Sequence, residues 1–107
     1  MKLRVYKKIN DTTTLFKSDE KGGVNFVLVE RGEKILNKYY YDVTIYWVDS
    51  MFKRHFIQAE HKEDFLGNPY RLEAALSDNV YGFPCNADLG WKDGEITEED
   101  KKLLDLE

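Results

Sequence analysis

Lys38-Tyr-Tyr-Tyr-Asp-Val-Thr-Ile-Tyr-Trp-Val-Asp49 is the stretch on which the fold turns. Successive strand side chains point to opposite faces, so Tyr39, Tyr41, Val43, Ile45 and Trp47 share one side and Tyr40, Asp42, Thr44, Tyr46 and Val48 the other. β-branched and aromatic residues dominate it, as a pleated, half-buried surface favours. Asp49-Ser50 offers a tight connection into Met51–Glu60, a second aromatic-rich run. The pair reads as a long antiparallel hairpin, with the first-named face in the core.

Outward from this hairpin, Lys2–Ile9 sets Leu3, Val5 and Ile9 against Lys2, Arg4 and Lys8, a period of two that predicts a strand. Asn10-Asp11 supplies a turn, because both side chains can bond the nearby backbone. Thr12–Lys17 and Val24–Glu30 read as two further strands, the second closed by Arg31-Gly32-Glu33. After residue 60 the period changes. Asn68 as N-cap and Pro69 at the first helical position start a helix over about 69–77, with Leu72, Ala75 and Leu76 as its apolar stripe. Val80 to Gly94 reads as loop. Thr97 then caps a short helix over about 98–106, where Leu103, Leu104 and Leu106 are available for docking.

The expected fold is therefore α+β: an antiparallel meander of four to five strands, about 2–9, 12–17, 24–30, 38–49 and 51–60, packed against the 69–77 helix. A chain of 107 residues, 42% hydrophobic and 34% charged, is sized and composed for a single domain spanning 1–107. No apolar stretch approaches the roughly 20 residues of a membrane helix, and the N-terminus lacks the apolar centre of a secretory signal. One cysteine, Cys85, rules out an internal disulfide framework, and a cytoplasmic location is the expectation.

Charge is unevenly placed. Residues 1–85 carry 13 basic and 12 acidic groups, while 86–107 carry 3 and 8, so the net −4 belongs to an acidic C-terminal segment, 86–107. A duplex-binding protein should present a basic face to the phosphates, and none is evident, which makes nucleic acid an unlikely partner. Gly22-Gly23 lacks the spacing of a phosphate-cradling loop. His55 and His61 stand on one strand face but nearly 20 Å apart, too far to share a metal, and Asp64 and Cys85 follow no ligand spacing. A Cys85–histidine nucleophile pair lacks an accompanying oxyanion-stabilising motif. Asp93 to Asp100 resembles the second half of an EF-hand calcium loop, but Leu89 and Trp91 stand where oxygen ligands belong, so a turn leading into a capped helix is the better reading. The expectation is no catalytic residue, no cofactor and no metal.

Two features point to binding. Tyr40 and Tyr46 lie opposite the expected core, and Arg54 sits between Phe52 and Phe56 on the next strand; such side chains are enriched at protein contacts, though cross-strand pairing alone can account for them. The carboxylates Asp93, Glu95, Glu98 and Glu99 could oppose a basic protein surface. The chain thus fits the type of a small non-enzymatic, stoichiometric inhibitor acting by occlusion, as in bacterial toxin immunity or phage anti-defence, with Tyr40, Tyr46, Arg54, Asp93, Glu95, Glu98 and Glu99 as contact residues. Two alternatives stay open: a small enzyme or ligand-binding domain with a pocket between helix and sheet using His55, His61 or Cys85, and a single-strand nucleic-acid binder. No membrane contact is expected, and an open sheet edge leaves room for a homodimer.

Overall fold

The computed structural model describes residues 2–19, 23–60, 65–67, 69, 72, 73, 76 and 92–106. Its frame is one six-stranded sheet: β1 (Leu3–Asn10), β2 (Thr13–Ser18), β3 (Phe26–Ile35), β4 (Lys38–Trp47), β5 (Phe52–Glu60) and β6 (Lys92–Glu95), followed by helix α1 (Glu98–Leu103). Each strand pairs antiparallel with its neighbours in sequence order, a simple meander. The expected hairpin is present, with Tyr39 opposite Glu60 and Trp47 opposite Phe52.

Three expectations need correction. The chain does not leave the sheet at Arg31-Gly32-Glu33; a bulge between Arg31 and Lys34 absorbs the extra residues, and β3 runs on to Ile35. Gly32 makes this geometry available, because a Cβ there would lie 2.7 Å from the Tyr40 carbonyl oxygen. Within the stretch read as loop, Lys92–Gly94 belongs to β6, which pairs with β5 from Phe52 to His55. The C-terminal helix ends at Leu103, with Leu104 as its C-cap and Asp105 at φ 57, rather than continuing to Leu106. The architecture is mostly β. Of the helix expected at about 69–77, Pro69, Leu72, Glu73 and Leu76 are among the described residues and are helical; the rest lies outside them.

Both faces of the sheet are dry over much of their area. On the first, Phe16, Val27, Val29, Tyr41, Val43, Ile45 and Phe56 form one cluster, closed by Phe65, Leu72 and Leu76. Tyr41 and Phe65 rings lie 4.7 Å apart. On the second, Leu15, Phe26 and Tyr46 are covered by Ile96 and Leu104, with Tyr6, Leu28, Met51 and Leu103 around them. The expectation of one dry and one wet face is thus overturned: the β6–α1 segment straps the second face. Asn25 ties the strands beneath it, its amide N–H donating to the Tyr46 carbonyl and its side chain accepting from the Val48 amide at 2.7 Å.

The β3–β4 hairpin closes through Leu36 and Asn37, at φ 50 and 66, the pattern of a type I′ turn. Asparagine and glycine tolerate this backbone, whereas leucine is strained in it by about 1 kcal/mol. Leu36→Asn is therefore expected to raise the thermal midpoint by several degrees, as read by circular dichroism. Gly32→Ala is expected to destabilise the fold by about 1–3 kcal/mol in urea denaturation, because the clashing atom belongs to the backbone and yields little.

Candidate functional site

Asp100 is the most connected carboxylate of the C-terminal segment. Thr97 caps α1, and the two form a capping box: the Thr97 amide donates to Asp100 Oδ2 at 2.9 Å, and the Asp100 amide donates to Thr97 Oγ1 at 3.2 Å. The same carboxylate reaches the sheet, accepting from Lys53 Nζ on β5 at 2.7 Å and from the Tyr46 hydroxyl on β4 at 3.4 Å. Burial pushes the Asp100 carboxyl up, but the hydrogen bonds from Lys53 and Thr97 outweigh it and hold the group below its ordinary value of 3.8. Burial, followed by the neighbouring Asp100 charge, raises the Tyr46 phenol well above its ordinary 10.0.

A second carboxylate fastens the other end of the strap to β1. Asp105 Oδ2 accepts from the Tyr6 hydroxyl at 2.9 Å and pairs with Lys7 Nζ at 3.1 Å, and these contacts hold its carboxyl below the ordinary value. Lys7 also donates to the Leu103 carbonyl at 3.4 Å, satisfying a helix-end acceptor. A third, Asp93 in β6, grips Arg54 through two bonds of 2.7 and 3.1 Å. Much of the acidity of this segment is thus spent inside the fold.

This arrangement divides the expected contact residues. Tyr46 is 2% exposed beneath α1, so it is a packing and hydrogen-bonding residue and no accessible contact; its neighbours Phe26 and Ile96 enclose it. Arg54 stands opposite Ile45, on the first face, with its guanidinium 5.9 Å from the Phe52 ring, and does not share a surface with Tyr40 or Tyr46. Tyr40 is half-buried on the second face, six residues from Tyr46 along β4 and hence about 20 Å away. Glu95, Glu98 and Glu99 are exposed together at the α1 end. Glu98 pairs with Lys101 at 3.0 Å, while among the described residues Glu95 and Glu99 have no ion pair. Reading the sequence missed Asp100, Asp105, Lys53 and Tyr6; the Thr97-x-x-Asp100 spacing is the signal that marks the first of them.

Chemistry-bearing groups elsewhere are sparse. His55 Nε2 lies 3.0 Å from Asp42 Oδ1 on the uncovered part of the second face, with Thr44 directly across from His55. Among the described residues no group of three or more His, Cys, Asp and Glu could hold a metal ion. His61, Asp64 and Cys85 lie outside the described residues. A groove of about 270 Å³ is lined by Val5, Lys8, Asp11, Thr14, Leu66 and Gly67, and another of about 460 Å³ by Lys2, Leu3, Arg4 and Asp19; among the described residues neither brings a histidine to its wall. No described helix is long and apolar enough to cross a membrane. Compared with protein-family models, curated proteins and solved structures, the chain matches none.

Asp100 and Asp105 dictate a pH dependence. Their folded-state values lie below the unfolded ones, so the stability they supply is complete above the ordinary carboxylate range and is lost as pH falls through the folded values. Urea midpoints are expected to fall below about pH 4, with Asp100→Asn lower by about 2 kcal/mol at neutral pH and showing a shallower acid limb. Tyr46 acts in the opposite sense: its raised value stabilises the fold below the ordinary phenol range and is lost as pH climbs above about 10, an alkaline limb that Tyr46→Phe should flatten.

Proposed function

We propose that this domain is a non-enzymatic protein-binding module, a stoichiometric inhibitor that works by occlusion and offers its acidic end to a basic surface on another protein. The observation that carries the reading is the placement of Glu95, Glu98 and Glu99: all are exposed, while the Asp93, Asp100 and Asp105 contacts clamp the element bearing them onto the sheet. Carboxylates held on a rigid element steer association and lose little freedom on binding. Tyr46 takes no part, and Tyr40 lies on a remote stretch of the sheet. A cytoplasmic setting of the toxin-immunity or phage anti-defence kind suits such an inhibitor, by analogy of type alone.

The alternative, a small enzyme or ligand-binding domain, rests on the Asp42–His55 pair and its neighbour Thr44. The two readings separate by mutation. A partner captured from the source cell is purified and its association rate with the full chain measured against salt. Replacing Glu95, Glu98 and Glu99 together by lysine is expected to slow association about tenfold or more at low salt and to abolish the salt dependence, while His55→Ala leaves it unchanged. An unchanged rate in the triple variant overturns the acidic-surface reading. Oligonucleotide binding at low salt that collapses on adding salt would instead favour the single-strand reading.

A further inference from the structure

The end of the molecule opposite α1 is built differently. The β3–β4 hairpin overhangs its neighbour, since β2 pairs with β3 only as far as Glu30. At the apex Leu36 is 90% exposed and Ile35 48%. Leu36 also occupies a left-handed position that asparagine or glycine would fill with less strain. Among the described residues this side chain joins neither apolar cluster. A strained, solvent-facing leucine at an apex points to a contact outside the chain.

The residues below the apex come in layers. Ile35 pairs with Lys38, then Lys34 with Tyr39. Lys34 and Lys38 are exposed, and the Tyr39 ring carries the Lys34 ammonium at 5.5 Å and the Arg31 guanidinium at 5.3 Å, which stiffens the stem. From Arg31 through Tyr40 there are three basic residues and one acidic residue, Glu33, with Glu60 across from Tyr39 on β5. Tyr39 and Tyr40 lie about 10 Å from the apex at about 3.3 Å per residue. An apolar tip flanked by amines and tyrosines is the composition of a segment seated in a lipid interface, where apolar groups enter the acyl boundary while lysines and tyrosines meet the headgroups. The exposed carboxylates lie towards the far end of the sheet, Glu95 in the Trp47–Phe52–Glu95 rung and Glu98 and Glu99 just after it on α1, where an anionic surface would repel them least.

We propose that the Ile35–Leu36 apex is a peripheral membrane anchor that inserts into one leaflet of an anionic phospholipid surface, with Lys34 and Lys38 on the headgroups. Shallow insertion of an apex needs no long apolar helix, and among the described residues there is none. The inference stands apart from the proposed inhibitor activity, whose carboxylates occupy the opposite end.

The test is flotation of the full chain with vesicles of mixed phosphatidylcholine and phosphatidylglycerol, against phosphatidylcholine alone. Binding is expected to the anionic vesicles only, weakened about fivefold for each lysine removed in Lys34→Gln and Lys38→Gln. Leu36→Asn is the decisive variant, because it suits the turn better and cannot lose binding by unfolding; it is expected to bind about tenfold or more weakly. In Leu36→Trp, anionic vesicles should shift the added indole emission to shorter wavelength. Equal recovery with neutral and anionic vesicles, or undiminished binding by Leu36→Asn, overturns the proposal, and a chain that floats with neither leaves the apex to an apolar pocket on a protein.

Discussion

Burial of β4 on both sides is the constraint from which the rest of the architecture follows. Tyr41, Val43 and Ile45 are fully enclosed on one face, while Tyr46, on the other, is nearly so. A sheet whose central strand buries side chains on both sides, as β4 does around Ile45 and Tyr46, needs two covers there, and a meander supplies none from its own strands. Phe65, Leu72 and Leu76 close the first face. The second is closed by the last elements of the sequence, through Ile96 and Leu104. Two aliphatic anchors flanking a helix of six residues make a thin cover, and the carboxylate grips of Asp100 and Asp105, with Asp93 holding β6 to β5, supply the orientation that packing alone would leave loose.

Much of the sheet was legible in the sequence because its signal is local. The alternation in Lys38–Trp47 and the turn residues before Phe52 determine a hairpin without knowledge of anything distant. What escaped is what depends on partners far along the chain. Lys92-Asp-Gly-Glu95 has no intrinsic preference for a strand; the free edge of β5 makes it one. The bulge at Gly32 is marked only by a glycine, which reads equally well as a stop. The second dry face was encoded, since Phe26–Val29 is apolar at both parities, the mark of a strand buried on two sides, yet a period-two reading places one of those parities in water.

The same logic explains why the expected site came apart. Residue type identified Tyr46, Arg54 and Asp93 as binding groups, but a tyrosine under a helix and a guanidinium beside an aspartate are satisfied within the fold. Composition located the acidity correctly in the C-terminal segment without telling which carboxylates face inward. That division depends on helix phase: Thr97 sets the start of α1, and Asp100, on the face turned to the sheet, meets Lys53, whereas Glu98 and Glu99 point away. The edges are guarded as well. β1 is interrupted by register shifts after Val5 and Lys8, and β6 is four residues long.

The strap that seals the second face follows the five long strands in the chain, and this orders events during synthesis. With residues 61–91 between them, the five long strands leave the ribosome before the strap does and can pair, each with the one before it. Leu15, Phe26 and Tyr46 then form a bare apolar platform until Lys92–Leu104 emerges. Until the strap docks, that platform is open to chaperones and to neighbouring chains.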